Sequence, residues 1–279
     1  MRNIDCQEIT AAVARLCVEA NLVLPPALVA KLDSLEESET SRLGRKALAA
    51  FAANREIAAR EGLALCQDTG LAVVFLRLGQ EVHISGGLLA EAVDRGVAQG
   101  YQQGYLRKSL VSALERVNTK DNTPAVQHLQ LVPGEQLEII VLPKGGGAEN
   151  MSRLAMLRPA AGVEGVRNFL LETVREAGPN ACPPLVVGLG IGGDFEGCAY
   201  LSKLALTRDL GSVNPDPALA RLEQEWLEDI NKLGVGVQGF GGPHTALALF
   251  IEERPCHFAS LPVAVNLNCH VDRCGRVVL

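Results

Sequence analysis

Cys66, Cys182 and Cys269 each stand where an apolar, strand-like stretch meets a turn, in the contexts ALCQDTG, GPNACPP and VNLNCH. Three thiolates brought to one point would hold an iron-sulfur cluster. A cluster held by four cysteines has every iron filled and moves electrons; one held by three leaves an iron open as a Lewis acid. Each cysteine also has a plain reading. Cys66 suits a buried strand start followed by a capping Asp68, and Cys182 suits a turn stiffened by Pro183 and Pro184. The chain carries eight cysteines, at 6, 17, 66, 182, 198, 256, 269 and 274, and no CxxC pair. A zinc ribbon and a thioredoxin-type motif are therefore excluded, and a metal site would have to be assembled from distant loops. Spacing alone ranks none of the eight.

The elements that would position these loops follow from hydrophobic period. Residues 5–60 read as helices, with Pro25 and Pro26 as punctuation. LAVVFLRL from Leu71 and the short VHI read as strands, and a helix is expected from about Leu88 to Val117. Two strands, 126–132 and 137–142, flank Pro133-Gly134 as a hairpin that feeds the glycine loop PKGGGAEN. A helix over 162–177, the apolar run LVVGLGIGG, a helix to Leu206, another over 215–233 and a strand-like end complete the pattern. The fold class is α/β of mixed α+β type: mixed β-sheets flanked by helices, one domain over 1–279 with a helical N-terminal part over 1–60. Gly188, Gly190 and Gly193 spell G-x-G-x-x-G, but TRDLGSVNPDPAL follows where a dinucleotide fold needs a second strand and an acidic residue. These glycines are read as close packing of strand on helix.

Composition narrows the function. The hydrophobic fraction of 48% supplies a core, while aromatics at 4% and 28 glycines point to aliphatic packing with many loops. A net charge of -6 and no basic cluster argue against nucleic acid. The N-terminus lacks the pattern of a secretory leader, and no run reads as a membrane span, so a cytoplasmic protein with no membrane partner is expected.

Six motifs in order, CQDTG, YLRKSL, KDNTP, KGGGAENMS, NACPP with GLGIGG, and NLNCH, resemble those of the class I iron-sulfur fumarases and the related L(+)-tartrate dehydratases. The resemblance covers nearly the whole chain. It implies a 4Fe-4S cluster on Cys66, Cys182 and Cys269 with one open iron, leaving Cys198 and Cys274 as rivals for a fourth ligand or as core residues. It implies substrate contacts at Gln67, Asp68, Arg107 and Gly146, and catalytic roles for Asp68 and His257. An arginine fork suits a carboxylate, and a glycine-loop amide suits an anion; Lys144 would add positive field, and His244 and His270 carry less weight. The implied reaction is reversible hydration of fumarate to malate, which the glycine loop and KDNTP favour. The alternative is an L(+)-tartrate dehydratase giving oxaloacetate, and an electron-transfer protein is a further one. Single-chain members carry a C-terminal domain beyond the length seen here, so the resemblance also implies an alpha-type subunit that needs a separate beta subunit in an alpha-beta heteromer.

Overall fold

A computed structural model describes residues 1–279. The chain opens with β1 (Arg2–Asp5) and α1 (Cys6–Leu22), then α2 (Pro26–Ser34) and α3 (Arg42–Glu61). There follow β2 (Leu71–Gly79), β3 (Val82–Ser85), α4 (Leu89–Gln103), β4 (Val126–Val132), β5 (Leu137–Lys144), α5 (Gly146–Asn150) and β6 (Arg153–Leu157). The rest comprises α6 (Gly162–Ala177), β7 (Leu185–Gly192), α7 (Phe195–Ala205), α8 (Pro217–Lys232), β8 (Ala246–Arg254), β9 (Leu261–Asn268) and β10 (Gly275–Val278). The α/β class with mixed sheets is as expected. Starts are set by local chemistry: Asp5 accepts from the Gln7 amide at 2.8 Å, Asp194 from Gly197 at 2.8 Å, and Asp216 from Ala218 at 2.7 Å with Pro217 next in line.

The chain divides into two compact units, each discontinuous in sequence. The first holds residues 1–25, 54–146 and 273–279; the second holds 26–53 and 147–272. The chain crosses between the units within α3 and α5, at the start of α2 and in the loop before β10.

In the first unit a four-stranded sheet runs β10-β5-β2-β4, and β1 pairs with β3 in a separate parallel ribbon. The expected hairpin of β4 and β5 does not form. β2 lies between them, parallel to β4 and antiparallel to β5, and the Pro133-Gly134 turn straddles its end, where Gln80 N–H donates to Val132 O and Glu81 N–H to Gly134 O. The reason is burial: β2 is an almost wholly apolar central strand, whereas β4, VQHLQLV, keeps Leu129 and Leu131 exposed at the edge. Ile9, Val13 and Leu16 of α1 and Val93 and Val97 of α4 pack with Val74, Leu76, Ile139 and Val141.

The helix expected to reach Val117 stops at Gln103. Gly104 caps it, Tyr105 takes a left-handed φ of 51°, and positive φ recurs at Arg116, Lys120 and Asn122. One helical stretch, Cys6–Ser34, is long and apolar enough to cross a membrane, with a hydropathy of 1.5. Half of its apolar window is buried, and α1 gives Ile9, Val13, Leu16 and Cys17 to the core, so it is accounted for as a core helix.

The second unit is built on the sheet β6-β9-β7-β8, with β7 parallel to β8 and antiparallel to β9. Alternate residues of β7 face opposite ways. Val187 and Leu189 join Phe169 and Leu170 of α6 and Trp226 and Ile230 of α8 in one core. Gly188 and Gly190 face α7 so closely that a Cβ would sit 2.1 Å from Ser202 O and 2.1 Å from Cys198 O. Only glycine permits that approach, which accounts for the G-x-G-x-x-G run as packing.

Candidate active site

In the first unit, the turn Cys66–Gly70 enters β2 through residues that must be fixed by side chains, since no ladder reaches them. Asn54 Nδ2 donates to Leu65 O at 2.9 Å, and Leu65 N–H to Asn21 O at 2.9 Å, which anchors the residue before Cys66. Asp68 Oδ1 accepts from Gly70 N–H at 3.1 Å and Asp68 Oδ2 from Gly146 N–H at 2.8 Å. Arg273, 3% exposed, donates through Nη1 to Asp68 O at 2.7 Å and to Asn21 Oδ1 at 2.8 Å. Tyr101 Oη donates toward Thr69 O and Gly70 O at 2.7 and 3.0 Å. Burial raises its pKa, so this phenol stays a donor. Asn122 Nδ2 reaches Gly70 O at 3.2 Å, while its Oδ1 accepts from Ser109 and Leu110 N–H; Thr69 Oγ1 donates to Arg107 O at 3.1 Å. Four of the six motifs thus meet around one turn.

Gly146 binds an anion, as a glycine-loop amide should, and in this structure that anion is the chain's own Asp68 carboxylate. Gln67 is exposed. Arg107 is exposed in the loop after α4, not on a helix, and its guanidinium pairs with no carboxylate of the chain, so its fork is available to a ligand. Lys144 is buried at 1% exposure at the end of β5.

In the second unit, Cys182 and Cys269 lie at one end of the sheet. Cys182 follows a short 3-10 turn and holds a left-handed φ of 55°, a conformation costing a non-glycine residue roughly 1 kcal/mol and therefore one that its surroundings must enforce. Cys269 follows β9, whose Asn268 pairs with Val186 at the start of β7. His270 N–H donates to Cys182 O at 3.2 Å, so the two cysteines sit one hydrogen bond and one peptide apart. Helix α5 and the turn after it are tied to β9 by Asn266 Nδ2 to Glu149 Oε2 at 3.1 Å and Leu267 N–H to Ser152 Oγ at 3.1 Å, and Lys203 of α7 pairs with Glu149. His244 contacts Ser38 Oγ through Nε2 at 3.0 Å; burial lowers its pKa, holding it neutral.

His257 is not brought to that end. It lies in the exposed Cys256–Ser260 loop after β8, whose last residue, Arg254, pairs with Gly192 at the far end of β7. From Val186 to Gly192 is about 20 Å at roughly 3.3 Å per residue. The bonds around His257 are local: Ala259 N–H to its Nδ1 at 3.2 Å and Ser260 N–H to its carbonyl at 2.9 Å.

All eight cysteines are free thiols. Cys6, Cys17 and Cys198 are shut in the core, and burial pushes the Cys17 thiol up to about 12 and raises that of Cys198. Cys198 Sγ turns inward to Phe195 O at 3.4 Å, which fits a core residue and not a fourth ligand. Cys66, Cys182 and Cys269 are partly or fully accessible on braced loops, as thiolate ligands need to be, and in donor chemistry they suit an iron-sulfur cluster. No three His, Cys, Asp or Glu side chains are already gathered closely enough to hold a metal ion.

Residue reasoning missed Arg273, Tyr101 and Gln238, whose side chains hold backbone carbonyls, and Asn21, whose Oδ1 accepts from Arg273. Asn122 alone carried a signal, as the centre of KDNTP.

A family profile described as fumarate hydratase (Fumerase) matches residues 10–278. A protein named putative L(+)-tartrate dehydratase subunit alpha, from Methanocaldococcus jannaschii, is 40% identical over 95% of this chain and 95% of its own. L(+)-tartrate dehydratase subunit alpha of Escherichia coli O157:H7 is 32% identical over 98% of this chain and 91% of its own. With its motifs gathered around two braced loop clusters and nearly its whole length matched, the chain belongs to the fumarate hydratase (Fumerase) family of hydro-lyases.

Proposed function

We propose that this chain is the alpha-type subunit of an iron-sulfur L(+)-tartrate dehydratase, eliminating water from the hydroxy-dicarboxylate to give oxaloacetate. The sequence motifs lean to fumarate and malate; the names of the curated relatives favour tartrate, and that second substrate pair is retained as the other reading. The hydro-lyase reading rests on the family match, and the observation that supports its cluster is the pairing of accessible Cys182 and Cys269 on loops hydrogen-bonded to each other, with every core cysteine excluded.

Cys66, Cys182 and Cys269 would hold a 4Fe-4S cluster. When bound, its open iron supplies a Lewis acid toward the substrate hydroxyl. Arg107 binds a substrate carboxylate through its planar fork. Asp68, aimed by the Gly70 and Gly146 amides, handles a proton, and Gln67 orients the substrate. The Gly146 amide then acts on substrate through Asp68. His257 stands too far along the sheet to serve the cysteines of its own chain, so we assign it to the site of a second alpha chain in the assembly. A separate beta subunit completes the site.

The chain is to be produced anaerobically with and without its beta partner, then analysed for iron, sulfide and turnover of L-tartrate and malate. The expected result is a coloured protein, inactive alone, that prefers L-tartrate when paired. Preference for malate moves the reading to fumarate hydratase, and a colourless, iron-free pair removes the cluster.

A further inference from the structure

Cys182 and Cys269 come from parts of the chain far apart in sequence, and each sits in a loop with little regular structure to fix it. The loop after β9 is closed at its base, where Asn268 Nδ2 donates to Asp272 Oδ1 at 2.6 Å, both side chains being 6% exposed. At the crown of that loop is His270. Its backbone N–H and its ring Nδ1 both lie 3.2 Å from the same acceptor, Cys182 O. A carbonyl only accepts, so the ring bond to Cys182 O is made by the tautomer that carries its proton on Nδ1. The ring is held flat against Phe51, with centroids 3.8 Å apart and planes at 11°. On the Cys182 side, Gln238 grips the next carbonyl: its backbone N–H donates to Pro183 O at 2.8 Å and its Nε2 to the same oxygen at 3.1 Å. Gln238 Nε2 is also 3.3 Å from His270 Nδ1, so the two gripping side chains touch.

Resting on the cluster reading above, we propose that His270 is a positioning residue: stacked on Phe51, it clamps the Cys182 loop to the Cys269 loop and sets the separation of the two thiolates before a cluster is built. Neighbours that orient ligands are commonly as necessary as the ligands. The backbone hydrogen bond is open to every residue at 270 except proline, so the ring bond is the part that can be tested. His270→Asn puts an amide nitrogen near the Nδ1 position, whereas His270→Leu has the same number of side-chain heavy atoms as Asn and no donor.

The test uses the full chain freed of iron, treated with dibromobimane, which bridges two thiols a few ångströms apart; the Cys182–Cys269 product is quantified by peptide mass spectrometry. Loss of one hydrogen bond predicts a bridging yield about fivefold lower in His270→Leu, with His270→Asn within about twofold of wild type. After anaerobic reconstitution with the beta partner, iron retained against a chelator should fall in the same order. Equal bridging in wild type, His270→Asn and His270→Leu overturns the clamp. If His270→Leu is unfolded by circular dichroism, Phe51→Leu, which frees the ring but keeps its donor, must lower bridging for the proposal to stand. Wild type without iron or sulfide sinks the cluster reading, and the bridging yields still decide the clamp.

Discussion

The second unit carries two Cys-His pairs at opposite ends of one sheet, Cys256-His257 and Cys269-His270. Residue types are the same and the support is not. Cys269-His270 is partly buried, closed below by Asn268 and Asp272, stacked on Phe51 and bonded to Cys182. Cys256-His257 is exposed, and its bonds reach no further than Ser260 and the neighbouring Phe258. A thiol and an imidazole do not make a site; the elements that converge on them do. The largest expected effect tests this contrast. On the proposed cluster, Cys269→Ser should lower hydro-lyase activity of the assembled enzyme by about a hundredfold or more and remove iron, because one proposed ligand in three is lost. Cys256→Ser should leave both within about twofold. Equal losses, measured by turnover and iron content, would erase the distinction between the ends.

The strand that spans those ends, β7, packs directly on α7. Adding a methyl group at Gly190 would place it 2.1 Å from Cys198 O, a backbone atom with no easy retreat. Gly190→Ala should cost about 3 kcal/mol by overpacking, read as a lower denaturant midpoint in equilibrium unfolding. An unchanged midpoint would mean the strand and helix are not in such contact.

The same rule extends to Cys66, whose turn is braced from α4. Tyr101→Phe leaves the carbonyls of Thr69 and Gly70 without their shared phenol donor in a buried place, and should cost about 2 kcal/mol. Activity should fall with it if the Asp68 turn is part of the chemistry. Wild-type stability and turnover in this variant would show the brace to be idle.

What was legible follows the same division. The six motifs, the mixed α/β class and the glycine packing could be read because they depend on residue type and short spacing. The position of β2 between β4 and β5 could not, because strand pairing is decided by burial across the sheet. Nor could the two units, since neither is continuous. Of the site, the cysteines were ranked by resemblance alone, and the braces Arg273, Tyr101 and Gln238 act through carbonyls that any sequence possesses. The lean to malate rests on the glycine loop and KDNTP, yet that loop's Gly146 amide bonds Asp68, a contact that does not tell one substrate from the other.

His257 gives the smallest effect and the finest test. If it serves the site of a second alpha chain, His257→Asn should reduce kcat about tenfold by removing one imidazole contact. Mixing that variant with Cys182→Ser chains should then restore part of the activity, because some hybrid sites combine an intact cysteine set with an intact His257. The strand length separates His257 from Cys182 and Cys269 of its own chain, so failure of complementation together with a large loss would mean the Cys256–Ser260 loop acts otherwise than through a second chain's cysteines. A loss below twofold would make this end of the sheet an ordinary exposed loop, and would leave all of the chain's chemistry at the Cys182 and Cys269 end and at the Asp68 turn.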